Sequence, residues 1–171
     1  MTVVAGLVSD GVVYMGGDRG ASDGDSILSM NSPKIAKVNN WLIGYAGSGG
    51  LGQIVQHMDC WKEHPKDVEK FLRMVFVEEY IKAREKVGGK DEEEAQLLIG
   101  YKGQLYEMDT SDYGIFSFGY TAIGSGGAIA IGSLFSTQNT AFLPQMRVEL
   151  AIKASINHNP ACNGPIDTYI C

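Results

Sequence analysis

Cysteine, positive charge and long apolar runs are all in short supply in this chain, and each shortage removes a class of protein. The three cysteines, Cys60, Cys162 and Cys171, form no C-x-x-C pair. Neither a disulfide framework nor a Cys-rich structural zinc site is indicated, and the cytosol is the default compartment. Lysine and arginine number 14 against 20 acidic residues, a formal net charge of −6, which argues against holding a phosphate backbone by bulk charge. No apolar run approaches the ~20 residues of a membrane span. Asp10 and Asp18 also interrupt the N-terminal segment where a signal peptide needs continuous apolar sequence. A cytoplasmic protein is expected, with neither nucleic acid nor membrane among its partners, and with an N-terminus that belongs to the fold.

The 171 residues contain 44% hydrophobic side chains, enough for one domain, 1–171, with a substantial core. Glycine is abundant, 22 residues where average usage would give about 12, and it is clustered. Val3–Val8, the turn pair Asp10-Gly11 and Val12–Met15 predict an opening hairpin. Ile35–Val38, Asn39-Asn40 and Trp41–Ala46 predict a second, and Gln96–Tyr101, Lys102-Gly103 and Gln104–Asp109 a third with polar residues at alternate outer places. Between them, Ile54, Val55, Met58 and Trp61 recur at helical spacing before Pro65. Val68, Phe71, Leu72 and Val75 repeat the pattern behind an Asp67 N-cap. Gly88-Gly89 ends this helix, and the acidic run Asp91–Glu94 reads as a solvated loop. A short strand near Thr121–Ile123, a helix after Gly124–Gly127, a helix over about Gln145–Asn157 and a strand at Ile166–Ile170 complete the chain. Hairpins and paired helices argue for antiparallel sheets covered by helix layers, not for a doubly wound parallel sheet.

Several segments could carry chemistry. Gly47-Ser48-Gly49-Gly50-Leu51-Gly52 matches G-x-G-x-x-G but lies in a hairpin without the second strand of a dinucleotide site, so a tight strand-to-helix turn is the simpler reading. His57, Cys60 and His64 would share one helical face and could ligate a metal, although no carboxylate completes the set. Cys162 with His158 and Asn159 or Asn163 has the residue types of a Cys/His/Asn nucleophile set, but their closeness in a turn disfavours the geometry. The start of the chain offers another option. Removal of Met1 would expose Thr2, whose hydroxyl can act as nucleophile and whose α-amine, with a pKa of about 7.7–8.0, can act as base. Such a pair needs a nearby cation, a carboxylate to hold it, and N–H donors for the oxyanion.

Thr2, Gly16-Gly17-Asp18-Arg19-Gly20-Ala21-Ser22, Pro33-Lys34-Ile35, Tyr45-Ala46-Gly47-Ser48-Gly49, Ile123-Gly124-Ser125-Gly126-Gly127 and Gly164-Pro165-Ile166-Asp167 resemble, in order and spacing, proteasome β-type subunits. The bacterial HslV peptidase is near in size. The resemblance implies an α+β fold: a four-layer αββα sandwich of two antiparallel sheets covered by helix pairs, of the N-terminal nucleophile hydrolase type. It implies a threonine-type endopeptidase with Thr2 as nucleophile and base, Lys34 as the cation that lowers the hydroxyl pKa, and Asp18 as the carboxylate paired with Lys34. Gly47 would supply an oxyanion N–H, and Ser125 would orient the terminal amine. Positions similar to those lining the family's P1 pocket are Ala21, Ser32, Ala36, Tyr45 and Gln53. No metal or organic cofactor is implied. The implied partners are peptide or unfolded protein substrate, further copies forming a homo-oligomeric ring, and a ring ATPase unfoldase. In Asn159-Pro160-Ala161-Cys162-Asn163-Gly164-Pro165 the chain departs from the family pattern, with Asn159 and Cys162 where an acidic residue and a serine are usual. An alternative expectation is a non-catalytic ring-forming scaffold subunit that retains Met1.

Overall fold

The computed structural model describes residues 2–22, 26–87 and 94–171. Gly88-Gly89, the acidic residues 91–93 and Met1 lie outside them. The opening hairpin joins β1 (Val4–Ser9) to β2 (Val12–Asp18). Its turn residues Asp10 and Gly11 both take positive φ, 50° and 74°, as a type I′ turn requires. β2 is followed by the short pair β3 (Gly20–Ser22) and β4 (Ile27–Ser29), which the sequence pattern did not reveal. The second hairpin, β5 (Ile35–Val38) with β6 (Trp41–Gly47), turns on Asn39 at φ 53°. The third, β7 (Ala95–Tyr101) with β8 (Gln104–Asp109), turns on Lys102 and Gly103 at φ 48° and 71°.

Two further strands, β9 (Ile115–Phe118) and β10 (Tyr120–Ile123), precede the last strand β11 (Ile166–Ile170). One antiparallel sheet has the order β10-β1-β2-β11 and the other β5-β6-β7-β8-β9. β9 escaped the sequence reading because Phe116 and Phe118 are exposed on an edge strand, 62% and 41%, which leaves no inward-outward alternation to detect.

Helices cover both outer faces. α1 (Gly49–Gln56) is capped by Ser48, whose side chain accepts from the Leu51 N–H. A 3-10 turn (Asp59–Lys62) follows. α2 (Val68–Phe71), capped by Asp67, runs through a π-helical turn (Leu72–Phe76) into α3 (Val77–Lys86). α4 (Gly127–Ser136) and α5 (Pro144–His158) lie against the other sheet. Two expectations are corrected here. The helix expected to carry Trp61 ends at Gln56, and Trp61 is buried from the 3-10 turn. Val75, expected inside, is 40% exposed, because the wider π turn shifts the apolar face so that Phe76 and Tyr80 point inward.

Three apolar clusters fill the three spaces between four layers. Trp41, Ile43, Tyr45, Leu97, Ile99 and Tyr101 pack with Trp61, Phe71, Leu72, Phe76 and Tyr80 under the first helix layer. Val4, Val13, Met15, Leu42, Leu98 and Leu105 fill the space between the sheets, and Val3, Ala5 and Leu7 meet α4 and α5 through Ala130, Leu134, Val148 and Ile152. β7 feeds both the first and the middle cluster and is buried throughout apart from Gln96. A strand covered on two faces reads as a continuous apolar run, so the polar alternation expected for the third hairpin is confined largely to β8. Among the described residues no helix is long and apolar enough to cross a membrane.

The sheets approach closely where Gly44 faces β1: a Cβ at Gly44 would lie 2.7 Å from Val4 Cγ1. Gly44→Ala should therefore overpack the inter-sheet space and cost about 1–3 kcal/mol, read by urea unfolding. A change below about 0.5 kcal/mol would show that the sheets separate freely at this point.

Candidate active site

The site forms where the β1 entry, the end of β2, the segment before β5 and the β6–α1 junction converge. Asp18, the last residue of β2, has no exposed surface. Its carboxylate accepts from Lys34 Nζ at 2.8 Å and from three backbone N–H groups, Val3 at 3.0 Å, Gly20 at 3.1 Å and Asn163 at 3.0 Å. Four donors converging on one carboxylate offset the desolvation that burial imposes. Lys34 is itself 3% exposed. Burial lowers its pKa from the ordinary value, and the hydrogen bond to Asp18 and that residue's charge act the opposite way. Its backbone is fixed as well, since the Lys34 carbonyl accepts from the Tyr45 N–H at 3.2 Å and from Gln56 Nε2 at 3.1 Å.

Thr2 is buried, at 5% exposure. Its nitrogen donates to Ser125 Oγ at 3.3 Å, and its carbonyl accepts from the Gly126 N–H at 3.1 Å. Thr2, Lys34 and Gly47 line one cleft of about 200 Å³ together with Gly20, Ala21, Met30, Tyr45 and Gly49. Gly47 takes φ 92°, and a Cβ there would meet the Glu94 carbonyl oxygen at 2.6 Å, so only glycine fits this turn into α1. The Tyr45 ring lies against Gly52, where a Cβ would come within 2.1 Å of it. Two glycines of the G-x-G-x-x-G stretch thus have packing roles, and the stretch follows β6, an interior strand of an antiparallel sheet, not the first strand of a strand-helix-strand unit.

The structure brings Thr2, Asp18, Lys34, Gly47 and Ser125 into one region, with Ala21 and Tyr45 at the cleft. Ser32, exposed in the segment before β5, Ala36, opposite Ile43 on β5, and Gln53, exposed on α1, are not among the cleft-lining residues. Gly20, Met30 and Gly49 line the cleft without having been singled out individually as contact positions. His57, Cys60 and His64 do not share a helical face, because α1 stops before them. Cys60 is buried with its thiol pushed up to about 12, chiefly by burial. Among the described residues no three His, Cys, Asp or Glu side chains are grouped to hold a metal.

Cys162 is 2% exposed and packs with the α4–α5 cluster. Burial, and then the charge of Asp18, raise its pKa, which leaves a thiol and not a nucleophilic thiolate at neutral pH. Asn159, the C-cap of α5, donates from Nδ2 to the Ser125 carbonyl at 2.7 Å and accepts the Ala161 N–H at 3.0 Å. Ser155, one turn earlier on α5, donates its hydroxyl toward the Gly126 carbonyl at 2.9 Å. Sequence reasoning missed Ser155, although its i, i+4 relation to Asn159 was readable.

The two antiparallel sheets and the helix layers that cover them form a four-layer αββα sandwich. Within it, the likeness to proteasome β-type subunits and HslV read from the motifs is borne out. The chain is 29% identical to proteasome subunit beta 2 of Caldivirga maquilingensis over 99% of its own length and 88% of that protein's. It superposes on Thiobacillus denitrificans BPH in complex with epoxomicin with a TM-score of 0.81 at 18% identity, covering 99% of this chain and 98% of the other. It superposes on eukaryotic HslV from Trypanosoma brucei with a TM-score of 0.74 at 17% identity over the same shares. No family model matches the chain.

Breaking the buried pair from either side should have unequal effects. Asp18→Ala strands an ammonium and three N–H groups, and should cost about 3–5 kcal/mol or prevent folding. Lys34→Met leaves the carboxylate its three N–H donors and should cost clearly less. Equal losses in urea unfolding would contradict the placement of Asp18 as the shared acceptor.

Proposed function

We propose that the chain is the threonine-type endopeptidase subunit of a self-compartmentalising, proteasome- or HslV-like protease, acting once Met1 has been removed. The observation that carries this reading is the shared cleft: Thr2 and Lys34 both line it, beside Gly47, while the Thr2 nitrogen sits 3.3 Å from Ser125 Oγ. With Thr2 terminal, its neutral amine takes the hydroxyl proton as Oγ1 attacks the peptide carbonyl carbon. The Lys34 ammonium favours the developing alkoxide, and the Gly47 N–H faces the oxyanion of the tetrahedral intermediate. The amine returns its proton to the departing amine, leaving an ester on Thr2. Water, deprotonated by the same amine, hydrolyses the ester and regenerates Thr2.

Ala21 and Tyr45 are the proposed walls for the substrate side chain, in a cleft that Met30 also lines. Substrates are peptides or unfolded protein, delivered to rings of this chain by a ring ATPase. Self-association is supported by the apolar residues exposed where α4 gives way to α5: Ile131, Phe135, Phe142, Leu143 and Met146, the largest exposure being 66% at Leu143. Exposed large apolar side chains grouped in one stretch of chain favour a protein partner.

Purified protein lacking Met1 should hydrolyse short fluorogenic peptides, with a rate that rises with pH through about 7.7–8.0 as the amine loses its proton. Thr2→Ala should abolish turnover with assembly intact, and Lys34→Ala should lose most of it in folded protein. Turnover retained in Thr2→Ala would refute the nucleophile.

A further inference from the structure

α1 meets the site at both of its ends. It starts directly after the turn at Gly47 and Ser48, and it stops at Gln56, about 12 Å further along. There the Gln56 side chain turns back onto β5 and β6. Its Nε2 lies 3.1 Å from the Lys34 carbonyl oxygen and 3.1 Å from that of Ile43, so each N–H bond of the amide has its own acceptor. Two carbonyls demand two donors, which sets Nε2 and not Oε1 on the strand side. The Lys34 carbonyl also accepts the Tyr45 N–H at 3.2 Å. One turn before Gln56 on the same helix face, Gly52 seats α1 on β6, since a Cβ there would lie 2.1 Å from the Tyr45 ring. Helix, strand and the main chain at Lys34 are thereby joined at two neighbouring points.

We infer that Gln56 is a positioning residue for the Lys34 ammonium, tying the main chain at Lys34 to α1 through its paired bonds to the Lys34 and Ile43 carbonyls. The consequence for catalysis rests on the proposed function, but the grip itself does not. A lysine ammonium rides on a flexible four-carbon stem, so its place is defined only when both ends of the stem are held. Asp18 holds the head at 2.8 Å, and the grip on the carbonyl holds the root. With the root released, the ammonium can stay on Asp18 while its other N–H bonds swing away from Thr2. Gln56 is not among the residues that line the cleft, so it acts through Lys34 and not by touching substrate.

The test compares the unaltered full-length chain with Gln56→Met, which keeps the length and loses both donors, and with Gln56→Glu, whose carboxylate sets oxygen against both carbonyls. All three are taken assembled and free of Met1. With a fluorogenic peptide at about pH 8, Gln56→Met should lower kcat about five-fold and Gln56→Glu about ten-fold, each with KM within about two-fold of the unaltered value. A glutamine that only packs would leave the pH profile in place. In Gln56→Met the acid limb of kcat should instead move to higher pH by about 0.3, because the Thr2 amine holds its proton more tightly once a neighbouring positive charge recedes. This substitution adds no charge, and the titratable groups around the amine, Lys34, Asp18 and Cys162, are the same in both proteins.

Amide hydrogen exchange supplies a readout that needs no turnover. The Tyr45 N–H, which shares the Lys34 carbonyl with Gln56, should exchange about three-fold faster in Gln56→Met, while the β7 amides remain protected. An unchanged kcat in both variants, a lowered kcat with the acid limb unmoved, or a loss carried wholly by KM would each overturn the inference. Loss of β7 protection in both variants would make Gln56 a packing residue and overturn it as well. If the unaltered chain hydrolyses nothing, the proposed function falls and Tyr45 exchange alone decides the grip, equal rates in the unaltered chain and Gln56→Met refuting it.

Discussion

The carboxylate of Asp18, sealed from solvent, is the point on which the site depends. One of its oxygens accepts from Lys34 and from the Val3 N–H, the other from the N–H groups of Gly20 and Asn163. These five residues belong to the entry to β1, the β2–β3 junction, the segment before β5 and the loop before β11. A buried charge is tolerable only where its hydrogen-bonding capacity is met, so the four segments are held in register by the need to satisfy one group. The same convergence sets Lys34 beside Thr2 at the cleft, and it explains how an ammonium can remain buried although desolvation works against its charged form.

Around that point the four layers act as a mount. Inter-sheet packing fixes β1, which carries Val3 and hence Thr2, and the glycine at position 44 lets the sheets come close enough for Val4 to reach across. The β6–α1 junction then turns sharply at Gly47 to border the cleft, and α5 holds the 125–126 turn from behind. Strands supply rigidity and tight turns supply reach, the division expected when reacting groups must be placed to within a fraction of an ångström.

Much of this was legible in the sequence for identifiable reasons. Asp10-Gly11, Asn39-Asn40 and Lys102-Gly103 announce their hairpins because a left-handed backbone restricts residue choice strongly. Asp67 announces a helix by its cap. The ordered set of Thr2, Asp18, Lys34, Gly47 and Ser125 became meaningful through resemblance, since each alone reads as an ordinary turn, surface or cap residue. Local pattern could not show the π turn that reverses Val75 and Phe76, because an extra residue per turn is a tertiary accommodation. Nor could it show the edge strand β9, the two-sided burial of β7, or which of Ala21, Ser32, Ala36, Tyr45 and Gln53 reach the cleft. The contact made by Asn159 was hidden for a related reason, since only the fold shows that its amide meets the Ser125 carbonyl.

The account turns on an amine and a hydroxyl carried by the same residue. Intact-mass measurement of the protein isolated from its own cells tests this most directly. The account predicts a chain whose first residue is Thr2, lighter by one methionine than the full sequence. A population in which every chain retains Met1 would leave the Thr2 nitrogen as a non-basic amide, contradict the catalytic reading, and leave a ring-building scaffold as the function of the same fold.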